Sequence, residues 1–234
     1  MPRLFQKPKE EEPSTTLDRM LPAPKHFDAS LTDTFMQRRT SYEFSDEPIS
    51  DQDLVEILWA ADGVNGSPKS DHRTTPTTLN WREIDIYVVK ANGVWLWKPA
   101  THSLGFIHGK DRRSDLCLLQ PFAKNAPVHL VYVYDQAKTQ GLMRDVLTRV
   151  IEFVKRDDIS AMAQEVLDNA PLLDTGTKVM AVYMACAAMN INCLARLTFD
   201  AKKVHSTLAL SKTQKALCIQ TIGYKPKGLL DLAF

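Results

Sequence analysis

The chain has 234 residues, 44% hydrophobic and 24% charged, the profile of a globular protein with one sizeable core. A formal net charge of +1 and a pI near 7.7 exclude whole-protein attraction to nucleic acid or to an anionic membrane, so any anion recognition must be local. Cys117, Cys186, Cys193 and Cys218 lack CxxC spacing, and two of them lie in apolar segments, which predicts buried free thiols rather than disulfides or a zinc site.

Residues 1–28 are rich in Pro, Lys and Glu with little periodic apolar content, and read as an extended arm ahead of a single domain over 29–234. Leu17, Met20, Leu21 and Phe27 are the arm's candidate docking residues. The N-terminus lacks the apolar core of a secretory signal, which predicts a cytoplasmic location. A helix from Ser30 to Arg39, capped by Ser30, presents Leu31, Phe35 and Met36 on one face and delivers Arg38 and Arg39 at its end. Ser50-Asp51-Gln52-Asp53 opens a second helix carrying Leu54, Ile57, Leu58 and Ala61, stopped by Gly63. A polar stretch over 65–73 leads into a turn, Pro76-Thr77-Thr78-Leu79-Asn80. Ile84, Ile86 and Val88 then alternate with Asp85 and Tyr87, Asn92-Gly93 supplies a type I′ turn, and Val94 to Trp97 returns as the second strand of a hairpin.

Val128 to Tyr134, rich in β-branched and aromatic residues, is a further strand closed by Asp135. Residues 140–170 predict two helices around an Asp157-Asp158 break. From Thr177 to Asn190 small apolar residues on all sides predict a buried helix, at about 15 residues too short to span a membrane. A strand through Cys193–Leu197, a helix after Asp200 and a strand over Ala216–Ile222 complete an α+β pattern without internal repeats.

Arg38, Arg39 and Thr40 gather two guanidinium groups and a hydroxyl where a helix ends, the donors needed to hold a phosphate. The Pro76–Asn80 turn offers polar side chains just before an apolar strand. On their own, an Arg pair at a helix end reads as solvated surface and a Thr-rich turn as local backbone capping. In this order, Arg38-Arg39-Thr40-Ser41-Tyr42-Glu43-Phe44 and Pro76-Thr77-Thr78-Leu79-Asn80 resemble the FMN-dependent nitroreductase family, whose signatures run roughly Arg-Arg-Ser-x-Arg-x-Phe and Ala-Pro-Ser-x-x-Asn. The resemblance continues through Asn125-Ala126-Pro127-Val128-His129-Leu130-Val131, Asp174-Thr175-Gly176 and Ile222-Gly223-Tyr224, over about residues 30–228.

The resemblance, not composition or periodicity, implies a bound FMN and a central, mostly antiparallel sheet flanked by helices. It also implies a homodimer with FMN sites at its interface, NAD(P)H as transient donor, and a small-molecule acceptor of nitroaromatic or quinone type served by a ping-pong mechanism. No side-chain acid or base is required. Arg38, Arg39 and Thr40, with Lys225 and Lys227, are implied at the phosphate, and Pro76, Thr77, Thr78, Leu79 and Asn80 at the flavin. The family usually has Arg or Lys where this chain has Tyr42, and a Gly-containing loop where it has Arg196-Leu197-Thr198. A phenol stabilises negative charge on a reduced flavin less than a cation does, unless Arg82, Arg112 or Arg196 compensates, and Leu197 and Thr198 narrow a space that glycine would open.

These two departures keep open a flavin- or small-ligand-binding protein with weak or lost turnover. An azoline-oxidising, SagB-type relative working on modified peptides shares the same motifs. Gly109-Lys110-Asp111-Arg112-Arg113 lacks phosphate-loop spacing and reads as a surface turn, and the six histidines are too scattered to suggest a metal.

Overall fold

The computed structural model describes residues 17–66, 72–139 and 157–226. Residues 1–16 of the expected arm, residues 67–71 of the polar stretch, the first helix expected after residue 140 and Lys227 lie outside the described residues.

In chain order the elements are β1 (Arg19–Met20), α1 (Leu31–Gln37), α2 (Asp51–Asp62), β2 (Val64–Asn65), β3 (His72–Arg73), β4 (Ile84–Lys90), β5 (Gly93–Lys98), β6 (Ser103–His108), β7 (Val128–Asp135), α3 (Gln136–Thr139), α4 (Asp157–Ala188), β8 (Asn192–Arg196), α5 (Ala201–Thr207) and β9 (Gln214–Gly223). Seven strands form one sheet in the order β1-β6-β5-β4-β7-β9-β8, and every neighbouring pair is antiparallel. The fold is α+β, with helices on both sides of that sheet.

The strands are buried on both faces because period-2 alternation sends apolar residues each way. Ile84, Ile86 and Val88 of β4 pack with Leu54, Ile57 and Leu58 of α2 and Val182 and Cys186 of α4, while Tyr87 and Val89 join Leu116, Val131, Val204, Leu208 and Ile219 beneath α5. In α2 the Ser50 hydroxyl accepts the Asp53 N–H at 3.0 Å. That cap is worth about 1 kcal/mol, whereas burial of Leu54, Ile57 and Leu58 is worth ~1.5–3 kcal/mol each, so packing rather than capping holds the helix. At its far end Gly63 has ordinary extended backbone; glycine is required because a Cβ there would lie 2.2 Å from the Trp59 ring.

Three expectations need correction. The hairpin turn is Ala91–Asn92, one residue early, and Gly93 instead opens β5 opposite Lys90 with φ of +140°, where a Cβ would meet the His108 carbonyl at 2.4 Å. The helix expected from Thr177 belongs to α4, which begins at Asp157 and runs through Pro171. Within 177–190 the helix is buried at Lys178, Val182, Ala185, Cys186 and Ala187 but exposes Met180, which continues an exposed face from Leu172 and Leu173 ahead of that span. The face of α1 that carries Leu31, Phe35 and Met36 is exposed, and Thr34 is the residue that α1 buries.

The described part of the arm adds β1 to the sheet edge, sinks Leu21 into the core and rests Phe27 against it, while Leu17 and Met20 stay exposed. All four cysteines are buried free thiols. Among the described residues no helix is long and apolar enough to cross a membrane.

Candidate functional site

Ser30 caps α1 as expected, accepting the Asp33 N–H at 3.1 Å. At the other end Arg39 turns back and donates to the carbonyls of Met36 and Arg38 at 2.7 and 2.8 Å, satisfying groups that a helix C-terminus leaves open. Arg38 points elsewhere. Its guanidinium carbon stands 5.6 Å from the centre of the Tyr183 ring on α4, a cation–π contact, and the Thr40 hydroxyl lies 3.4 Å from the Tyr183 phenol oxygen. Tyr183 is itself fixed by the Ala195 N–H, which donates to its oxygen at 2.8 Å. Among the described residues no carboxylate pairs with Arg38 or Arg39, so this end of the site carries uncompensated positive charge beside a hydroxyl.

The following segment is stitched to the ends of β8 and β9. Ser41 N–H donates to the Cys193 carbonyl at 3.0 Å, Asn192 Nδ2 to the Glu43 carbonyl at 2.7 Å, and Ser45 N–H to the Tyr224 carbonyl at 2.9 Å. Phe44 covers Gly223, where a Cβ would approach Phe44 Cβ to 3.2 Å and Pro127 Cδ to 2.9 Å. This packing explains why the first and last motifs occur together, and it brings exposed Lys225 alongside the segment that follows Arg38.

The second motif starts at the end of α2, where the hydroxyls of Thr74 and Thr75 donate to the carbonyls of Trp59 and Ala61 at 2.8 and 2.7 Å. Exposed Pro76 and half-buried Thr77 lead into a 3₁₀ turn over Thr78–Asn80. Leu79, Asn80 and Arg82 have φ of 48°, 56° and 54°, a left-handed backbone that asparagine tolerates and leucine does not readily adopt. Asp174 on α4 holds the turn: its carboxylate accepts the Thr78 N–H at 2.7 Å and the Thr78 hydroxyl at 3.0 Å. The Thr78 hydroxyl proton is therefore engaged, and Thr78 serves this turn as an anchor rather than as a free donor. Arg82 clasps the Asn80 carbonyl oxygen from Nε and Nη2, both at 3.2 Å, while Asn80 and Leu79 remain exposed.

Behind Asp174 lies a buried group of charges. Lys178, one turn further along α4 and fully buried, donates to Asp62 at 2.7 Å and to Thr75 Oγ1 at 3.3 Å. Glu83 is also fully buried, and neither of its carboxyl oxygens has a hydrogen-bond partner of good geometry among the described residues. Burial, with Asp174 close by, pushes the Glu83 carboxyl up to about 7, against the pull of its own backbone and of Lys178.

The third part of the site departs from expectation. The Arg196 guanidinium points inward, 6% exposed, and donates to the Leu116 carbonyl, Gln120 Oε1 at 3.4 Å, His129 Nδ1 at 3.3 Å and Thr221 Oγ1 at 3.4 Å. Burial lowers its pKa, and the same burial with the neighbouring Arg196 and Arg113 charges takes His129 down to about 3, leaving a neutral imidazole that can accept from Arg196. Arg196 thus holds the 113–123 segment in place and cannot itself reach a ligand at the surface. Leu197 is 74% exposed, and the Thr198 hydroxyl accepts a hydrogen bond from Gln120 Nε2. Tyr42, also exposed, packs edge-on to Phe122 at 5.5 Å. Arg82 is committed to Asn80 and Arg112 to Asp115 at 3.2 Å, so neither replaces the cation that Tyr42 lacks.

Arg38 and Thr40 meet α4 at Tyr183, and the Thr78–Asn80 turn meets it at Asp174, two and a half turns apart or ~14 Å at 1.5 Å per residue. One end supplies a hydroxyl and cations that no carboxylate pairs with among the described residues, the other an exposed amide on a rigid turn, and Tyr42, four residues beyond Arg38, packs against Phe122. That donor set fits a ligand with an anionic end and a flat, polar-edged ring, as a flavin mononucleotide has. Asp174 belongs to a motif that carried the resemblance, without a role attached to it; Glu83, Lys178, Tyr183, Gln120 and Phe122 gave no such signal, and their roles come from contacts between distant segments.

Solved structures share this fold. A protein assigned as a nitroreductase from Ralstonia eutropha JMP134 is 24% identical over 94% of this chain and 96% of its own, with a TM-score of 0.75. A second, from Anabaena variabilis ATCC 29413, is 17% identical over 90% of this chain and 42% of its own, with a TM-score of 0.65. A chain of the E. coli microcin synthetase McbBCD complex with truncated pro-MccB17 bound is 15% identical over 81% of this chain and 70% of its own, with a TM-score of 0.63. No curated protein matches the sequence. The model of the nitroreductase family, which is generally flavin-dependent, matches residues 35–224, and on that span the chain belongs to the nitroreductase family.

Proposed function

We propose that the protein is a homodimeric, FMN-dependent oxidoreductase of the cytoplasm that takes hydride from NAD(P)H and passes electrons to a small electrophile of nitroaromatic or quinone type. The observation that carries this reading is the pairing of carboxylate-free Arg38 and Thr40 on Tyr183 with the Asp174-anchored Asn80 turn on the same helix. FMN supplies the hydride-accepting ring when bound. The chain's own residues bind and orient it: Arg38, Thr40 and Lys225 at the phosphate, with Lys227 beyond the described residues, and Asn80, Thr77, Pro76 and Leu79 at the ring. Arg39, Thr78 and Arg196 act indirectly, by finishing α1, fixing the turn and supporting the Leu197–Thr198 edge.

The homodimer is supported by two exposed apolar faces, Leu31, Phe35 and Met36 on α1, and Leu172, Leu173 and Met180 on α4, the latter lining a shallow hollow of ≈ 610 Å³. With the ring at an open interface, donor and acceptor would use the same face in turn, giving ping-pong kinetics.

The test is the visible spectrum of the protein purified without added cofactor, followed anaerobically after stoichiometric NADH and then NADPH. Flavin bands that bleach with either nicotinamide support the reductase and name its donor. Bands that persist point to a binder with lost turnover, the outcome in keeping with Tyr42 and exposed Leu197. A protein that cannot be reconstituted with FMN refutes the reading.

A second reading, oxidation of azoline rings in a modified peptide, is favoured by the structural likeness to a chain of the McbBCD complex; exposed Leu118 and Leu119 stand on the segment whose Phe122 packs against Tyr42.

A further inference from the structure

The group formed by Glu83, Asp174 and Thr78 does more than fill space. Glu83 ends the irregular segment that leaves the Thr78–Asn80 turn and enters β4, and its backbone carbonyl accepts the Asp135 N–H at 2.8 Å, so the residue is fixed at the head of the sheet. Its carboxyl is fully buried and without a good partner. Asp174 is the carboxylate whose charge acts on it, and its two oxygens also accept the Thr78 N–H and hydroxyl. Around them stand Lys178 on α4, already committed to Asp62 of α2 at 2.7 Å, and the Lys138–Asp85 pair two residues along β4. Arg82, between turn and strand, is occupied by Asn80. No cation in this set is left over to neutralise both carboxyl groups, so two charges side by side in a buried place are strongly disfavoured and one proton is retained between them.

We propose that the Glu83–Asp174 carboxyl pair is a proton-operated latch that positions the Thr78–Asn80 turn, and through it Asn80, for the bound flavin. With the proton in place, Asp174 holds the Thr78 N–H and hydroxyl and keeps Leu79, Asn80 and Arg82 in their left-handed conformation. When the proton leaves, repulsion from Glu83 pushes Asp174 off Thr78, the strained turn relaxes, and Asn80 moves. The elevated proton affinity of buried Glu83 puts this change near neutral pH. Glu83 and Asp174 are positioning residues: neither is placed against the ligand. The flavin half of the proposal rests on the function proposed above; the movement of the turn does not.

The experiment follows the Thr78 backbone amide by NMR in the full chain without flavin from pH 5.5 to 8.5, and FMN affinity by fluorescence titration over the same range. In the wild-type protein the Thr78 amide shift should titrate with a midpoint near neutral pH, and FMN affinity should fall about tenfold from pH 6 to 8, a change of about 1.4 kcal/mol. Glu83→Gln, neutral and of the same shape, should abolish both changes and keep the tight, low-pH affinity. Asp174→Asn, which keeps an acceptor for Thr78 but removes the second charge, should move the midpoint well below neutral and serves if Glu83→Gln does not fold. A Thr78 amide that does not titrate in the wild type, or titrates identically in the folded variants, overturns the latch. Titration of Thr78 with pH-independent FMN affinity overturns its link to the ligand, whereas titration with no FMN binding at any pH removes the flavin reading and leaves the latch standing.

Discussion

The two halves of the candidate site are built on opposite physical plans. Thr40 is exposed and Arg38 half-buried, both touching the Tyr183 ring or its hydroxyl, with no carboxylate among the described residues to neutralise the guanidinium. The Thr78–Asn80 turn is strained, and its attachment runs inward to a carboxylate cluster sealed from water. The first half stores unsatisfied charge for a ligand and owes little to the fold. The second stores unfavourable backbone geometry, about 1–3 kcal/mol for each left-handed non-glycine residue, which only the surrounding structure can maintain. Binding strength should therefore follow changes in the first half, and stability should follow changes in the second.

The largest contrast should come from Lys178→Ala. Removing the buried ammonium leaves Asp62 without its partner, and loss of one member of a buried pair costs about 3–5 kcal/mol. Urea denaturation should show that loss, while the same measurement on Arg38→Ala should stay within about 0.5 kcal/mol of wild type, the ordinary effect of a surface change.

Next in size is the pH dependence set by Glu83. Its pKa is higher in the folded state than the ordinary 4.5, so the folded protein binds the proton more tightly than the unfolded chain does. Stability is then fullest below about pH 4.5 and falls as pH rises towards about 7, by roughly 3 kcal/mol at about 1.36 kcal/mol per pH unit. Denaturation midpoints compared between pH 5 and pH 8 should show this slope in the wild type and a markedly flatter one in Glu83→Gln. An equal slope in both would assign it to other groups.

The smallest effect lies at the edge beside Phe122. Tyr42→Arg restores a cation where the protein has an exposed phenol, and should raise the rate of NAD(P)H oxidation severalfold, about 1 kcal/mol or less of barrier, without moving FMN affinity. Stopped-flow reduction of the reconstituted protein measures it; an unchanged rate would show that Tyr42 does not limit turnover.

What could be read from the sequence was whatever local chemistry determines. Ser30, Ser50 and Asp200 all cap helices, each through a side-chain oxygen and an N–H two or three residues on. The β-branched runs at 84–90 and 128–135 became central strands. The errors share one cause. The helix expected from Thr177 is continuous from Asp157 through Pro171, a stretch that Asp174 and Lys178 tie to Thr78 and Asp62 about a hundred residues earlier. Leu31, Phe35 and Met36 form an apolar stripe, but periodicity alone cannot say whether a stripe faces this chain's core or a partner. Glu83 carried no signal in the sequence; its burial comes with the folded chain, where Asp174 and Lys178 of α4 act on it. Arg196 carried the right residue type at the right loop, but alternation along β8 turned its side chain inward.

The central claim is that the two halves, unlike in construction, grip one ligand at different ends. Titrating FMN and riboflavin, which lacks the phosphate, into wild type, Arg38→Ala and Asn80→Ala tests it most directly. Arg38→Ala should weaken FMN by tenfold or more, about 1.5–3 kcal/mol for a charge-assisted contact, and leave riboflavin unchanged, while Asn80→Ala should weaken both flavins alike. FMN affinity unaffected by either variant, or riboflavin weakened as much as FMN by Arg38→Ala, would contradict the assignment.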